Sequence, residues 1–128
     1  MAWRQSDLIE VKRVPGKGRG VFARRFIREH TTIERVPVLI LPEHTMWHRD
    51  GTSPLSEYVF HWSGGQLALA LGYGSLYNHS DHPNARCEDR APRTKVYTAL
   101  RDIAAGEEIT INYHGEPEAR GPLGFEVR

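Results

Sequence analysis

Apolar positions along this chain fall in short runs separated by turn residues. Leu8-Ile9-Glu10-Val11-Lys12-Arg13-Val14 is branched and partly alternating, which predicts a strand. Pro15-Gly16-Lys17-Gly18-Arg19-Gly20 follows as a tight glycine-rich turn, then Val21-Phe22-Ala23 as a short strand. Val36 to Leu41, bounded by Pro37 and Pro42, predicts an edge strand, because proline removes a ladder donor. Pro42 to Pro54, with His44, His48, Arg49, Asp50 and Gly51, has the composition of an exposed insert. Glu57 to Trp62 and Gln66 to Leu71 flank Ser63-Gly64-Gly65 and predict a hairpin whose glycines supply positive φ. A helix over Gln66 to Leu71 competes, since Ala and Leu favour one. Lys95 to Leu100 and Ile109 to Tyr113 predict further strands joined by Arg101 to Gly106, and from Gly115 onward no periodicity remains. No internal repeat, linker or low-complexity segment interrupts the chain. The class is mainly β, with short strands and long connections.

Composition narrows this further. A chain of 128 residues suits one domain, and eight prolines with twelve glycines favour turns over long helices. Seventeen basic and sixteen acidic side chains leave a net charge of +1, which argues against direct nucleic-acid binding. The basic run Lys12, Arg13, Lys17, Arg19, Arg24, Arg25 and Arg28 is read as a solvated face. Cys87 is the only cysteine, so no intramolecular disulfide forms. No apolar run is long enough to span a membrane, and the first residues lack the apolar stretch of a signal peptide. These features predict a soluble, intracellular protein.

Three segments carry the candidate chemistry. In Gly16-Lys17-Gly18-Arg19-Gly20-Val21-Phe22-Ala23, alternating glycines let the backbone approach a ligand and offer it N–H groups. No Gly-Lys-Ser/Thr follows, so a carboxylate or sulfonium-linked chain suits it better than a triphosphate. Asn78-His79-Ser80-Asp81-His82-Pro83-Asn84-Ala85 is polar and turn-rich. It reads as a surface loop or, with His79 and His82 three apart and Cys87 and His61 as candidates for the two further ligands, as a zinc site. In Gly106-Glu107-Glu108-Ile109-Thr110-Ile111-Asn112-Tyr113 the paired acids cap a turn, and Tyr113 places a phenol where the core meets solvent.

In this order and spacing the three segments resemble the SET-domain protein methyltransferases. That family's marks are a Gly-x-Gly, an Asn-His-Ser-x-x-Pro-Asn stretch and a Gly-Glu-Glu-hydrophobic strand ending in tyrosine. They stand here as Gly18 to Gly20, Asn78 to Asn84 and Gly106 to Tyr113, supported by Ala99-Leu100-Arg101-Asp102-Ile103. Tyr58-Val59-Phe60 resembles a stretch of the minimal viral and bacterial members. The resemblance implies one SET domain over residues 1–128, with a core over 8–114 and a short tail over 115–128. Its fold is several small curved sheets with a C-terminal pseudoknot. It implies methyl transfer from S-adenosylmethionine, leaving S-adenosylhomocysteine, to a lysine ε-amine of a histone or other basic protein. Tyr113 becomes the catalytic tyrosine and Tyr58 a channel tyrosine that binds the amine. Lys17, Gly18, Arg19, Gly20, Asn78, His79 and Tyr113 become cofactor contacts, His79 through its backbone.

Two departures qualify what the resemblance implies. Many members follow the tyrosine with a cysteine-rich zinc segment. With no cysteine after Cys87, no metal is expected, and Phe125 becomes the candidate lid over adenine. Ile111 stands where relatives often carry an aromatic residue that limits the number of methyls, so the product state is not legible. The competing functional readings are a catalytically inactive SET-fold module that binds cofactor or peptide, and a zinc hydrolase built on His61, His79 and His82. The expected partner is a protein or peptide with an exposed lysine, with no membrane and no direct nucleic acid. Similarity to the viral members hints at a homodimer. A bacterial source would place the chain in the cytoplasm, a histone substrate in the nucleus.

Overall fold

The computed structural model describes residues 3–16, 18–48 and 51–118. Eleven strands lie among them: β1 (Ile9–Val14), β2 (Gly18–Ala23), β3 (Thr32–Pro42), β4 (Trp47–His48), β5 (Gly51–Thr52), β6 (Val59–Trp62), β7 (Gln66–Ala70), β8 (Asn78–His79), β9 (Ala85–Arg90), β10 (Thr94–Ala99) and β11 (Glu108–Ile111). They form a four-stranded sheet in the order β1-β2-β11-β8, a five-stranded sheet in the order β6-β7-β3-β10-β9, and the small hairpin β4-β5. Only single turns of 3-10 helix occur besides, so the described chain is mainly β.

Alternation decides which side chains go inward. Ile9, Val21, Ala23, Ile109 and Ile111 of the first sheet and Val36, Val38, Ala68, Ala70, Tyr97 and Ala99 of the second are buried in one core. Ile27 and Ile103, joined by an isolated antiparallel bridge, are both buried there and tie the connecting segments together. The expected hairpin is present as β6 and β7, paired Val59 to Leu69 through Trp62 to Gln66. Its turn carries Gly64 at φ +71° and Gly65 at φ +72°, a left-handed region open to glycine at little cost. Strand geometry wins over the helical propensity of Gln66 to Leu71 because both sides of β7 are paired.

The edge-strand expectation for Val36 to Leu41 is overturned. β3 begins earlier, at Thr32, and lies at the centre of the five-stranded sheet. Pro37 is tolerated because β3 changes partner there. Residues up to Pro37 pair with β10 and residues from Val38 onward pair with β7. Val38 N–H donates to Arg93 on the β10 side, whereas Pro37 accepts from Leu71 N–H on the opposite side. The donor that proline lacks would therefore point at the very end of the β7 ladder, where none is needed. β9 was not legible as a strand: its sequence, Ala-Arg-Cys-Glu-Asp-Arg, is that of a charged edge.

β11 positions everything that follows. It pairs antiparallel with β2 and parallel with β8, so a late strand is inserted between an early one and a middle one. Residues past its end then run against the segment that holds Tyr77, Asn78 and His79. This is the threaded C-terminal arrangement that the resemblance implies.

Candidate active-site cleft

The candidate cleft lies where β2, β8 and β11 meet. Gly20 on β2 faces Asn78 and Glu108 so closely that a Cβ would lie 2.5 Å from Glu108 Oε2 and 2.9 Å from Asn78 Nδ2. A side chain at this position would displace the Glu108 carboxylate and the Asn78 amide and so disturb the hydrogen bond between them. Asn78 Nδ2 donates to the Arg19 carbonyl at 3.0 Å and to Glu108 Oε2 at 2.6 Å.

Tyr113 lies two residues beyond β11. Its hydroxyl donates to the Tyr77 carbonyl at 2.6 Å, and its backbone N–H donates to His79 Nδ1 at 3.0 Å. Burial, then the Glu108 carboxylate, then the Tyr58 phenol push the Tyr113 pKa up to about 12. The phenol is thus neutral at any ordinary pH. Tyr58 is 47% exposed, directly precedes β6 and lies within electrostatic reach of Tyr113.

The His79 ring is committed at both nitrogens. Nδ1 accepts from Tyr113, so the proton of the neutral ring belongs on Nε2, which faces Asp81 Oδ1 at 3.0 Å. Its side chain is 8% exposed and its ring lies 5.2 Å from that of Tyr113. Among the described residues no three His, Cys, Asp or Glu side chains gather as metal ligands; His61, His82 and Cys87 form no such set with His79.

Behind the cleft lies a buried polar layer. The Tyr77 and Tyr97 rings stack with centroids 4.5 Å apart. Tyr77 Oη donates to Glu34 Oε1 at 2.7 Å, Tyr73 N–H donates to Glu34 Oε2 at 3.0 Å, and Tyr97 Oη donates to the Gly74 carbonyl at 2.7 Å. Glu34 is 3% exposed, and burial raises its pKa despite these donors. The layer fixes Tyr77, and through its carbonyl the Tyr113 hydroxyl.

The structure brings Arg19, Gly20, Asn78, His79 and Tyr113 together and sets Tyr58 near the last of them. Gly18 opens β2 one residue before Arg19. Lys17 and Phe125 lie outside the described residues. Sequence reasoning passed over Glu108 and Tyr77. Glu107 does cap the preceding turn, its Oε1 accepting from Ala104 N–H at 3.1 Å, but Glu108 turns to the cleft. Strand alternation from the buried Ile109 and Ile111 was the signal that could have separated the two acids.

A fold of small sheets with a threaded late strand, and a cleft joining Gly-x-Gly, Asn-His and tyrosine, define a protein class. The chain belongs to the SET domain family, whose profile matches residues 18–114. It is 39% identical over 107 residues to a histone-lysine N-methyltransferase of Schizosaccharomyces pombe specific for H3 lysine 37, an alignment spanning 82% of this chain and 72% of that protein. A solved Plasmodium falciparum structure described as a histone methyltransferase superposes with a TM-score of 0.70 at 29% identity, covering 86% of this chain and 94% of the other.

Proposed function

We propose that this chain transfers a methyl group from S-adenosylmethionine to the ε-amine of a lysine in a protein substrate, a histone or another basic protein. Family membership and kinship with a lysine methyltransferase make the chain an enzyme of that class. The observation that carries the finer reading is the convergence of Arg19, Gly20, Asn78 and Tyr113 on one cleft.

The residues present fit the donor. The backbone around Gly18 to Gly20 and the Asn78 amide would hold its methionine end, and backbone groups at His79 its adenine. The Glu108 carboxylate suits a cationic ligand. When bound, S-adenosylmethionine supplies a methyl group on a positively charged sulfur. The chain has two tasks beyond holding it. The first is to favour the neutral amine, since deprotonating a free lysine at pH 7 costs about 4.6 kcal/mol. Partial burial beside Tyr58 and Tyr113 disfavours the ammonium and lowers that cost. The second is alignment, for which Tyr113 serves: the Tyr77 carbonyl holds its hydroxyl proton and so fixes the direction of the phenol, whose oxygen is suited to weak C–H···O contacts with the methyl group.

Labelled S-adenosylmethionine, incubated with the protein and a panel of histones and other basic proteins, tests this. Label should enter a lysine of at least one of them. Tyr113→Phe should lower the rate about 100-fold or more, the scale on which a positioned transition-state contact acts. An unlabelled panel, or a Tyr113→Phe variant of undiminished rate, would sink the reading. With a histone as substrate, the working location is the nucleus.

A further inference from the structure

Asn78 has one amide with two ends, and only one of them can face a ligand usefully. Both acceptors beside it, the Arg19 carbonyl at 3.0 Å and Glu108 Oε2 at 2.6 Å, demand the NH2 group. A carboxylate accepts and does not donate, so the amide cannot flip without setting Oδ1 against an anion. Among the described residues Oδ1 has no hydrogen-bond partner. The absence of a side chain at Gly20 is what lets the carboxylate stand this close.

We infer that Glu108 is a positioning residue: it locks the Asn78 amide so that the cleft is offered an acceptor, and thereby selects a donor ligand bearing an amino group at that point. The inference rests on the methyl-donor reading of the cleft and goes beyond it in assigning the lock. Glu108 acts through Asn78 and need not touch the ligand. Its neighbour Glu107 is occupied elsewhere, with Asn84, Arg101 and the Ala104 N–H, and cannot substitute for it.

Calorimetry with S-adenosylhomocysteine, and with its analogue lacking the α-amino group, tests the lock. The wild type should prefer the amino-bearing compound by about 10- to 100-fold, the worth of a hydrogen bond to a charged group. Glu108→Ala should lose most of that preference, falling to the level of Asn78→Ala, and the double variant should fall no further. Glu108→Gln keeps an acceptor toward Asn78 and should restore part of it, which a general structural role for the side chain would not explain. If Glu108→Ala does not fold, Glu108→Val removes the same acceptor while suiting a strand. An undiminished preference in the variant without the acceptor, or losses that multiply in the double variant, would overturn the inference. A wild type with no affinity for S-adenosylhomocysteine would instead overturn the reading of the cleft.

Discussion

Tyr113 shows how one residue's surroundings set its chemistry. Its pKa is pushed from the ordinary tyrosine value of 10.0 up to about 12, first by burial and then by Glu108 and Tyr58. Across that window the folded chain keeps a proton that the unfolded chain has released. Its contribution to stability is therefore complete below about pH 10 and declines as the pH rises through about 12. Catalysis should show the complementary pattern. Between about pH 7 and 10 the rate at low substrate should climb as the substrate lysine loses its proton, and Tyr113 should impose no fall in that range. A pH–rate profile checks this, and a descending limb below about pH 10 that vanishes in Tyr113→Phe would contradict it. Glu107 answers to opposing influences. Burial pulls its carboxyl up, but hydrogen bonds from Ala104 N–H, Asn84 and Arg101 together hold it below the ordinary value.

At the scale of elements, Asn84 does more than its place in a polar loop suggests. It is 2% exposed. Its Nδ2 donates to the Glu108 carbonyl at 2.8 Å and Glu107 Oε2 at 3.0 Å, while its Oδ1 accepts from Thr110 N–H at 2.9 Å. The loop after β8 is thereby stapled to β11 at the point where the cleft is built. Asn84→Ala would leave the half-buried Glu108 carbonyl and Thr110 N–H without this partner and should cost about 1–3 kcal/mol in denaturant unfolding. A loss within about 0.5 kcal/mol, the usual range for a surface change, would show that the staple does not hold the two elements.

Much at this scale was legible in the residues and some was not. The β6–β7 hairpin announced itself because Gly64 and Gly65 sit between two apolar runs of matching length. β9 did not, because an edge strand with charges reads like a loop. Pro37 misled for a definite reason: the rule that bars proline from central strands assumes one partner on each side along the whole strand. β3 trades one partner for the other at that residue.

For the whole molecule, β11 is the keystone, since its removal leaves β2 without one partner and β8 without any. A chain ending at residue 107 should lose its cooperative thermal transition, rather than merely its activity. A sharp transition retained in that truncation would contradict the role given to β11. Among the described residues no helix is long and apolar enough to cross a membrane.

The residues alone determined that this chain is built of short strands, where the β6–β7 turn falls, and which three segments are the candidates for chemistry, because period, turn type and motif are local properties. Tertiary structure decided which strands are neighbours, which acid of the Glu107-Glu108 pair meets Asn78, and which end of the Asn78 amide that acid holds. Alternation says which face of a strand is buried but not against what. Bringing Gly20, Asn78 and Tyr113 together requires pairing segments far apart in the chain, and only the packing of the whole core selects that pairing.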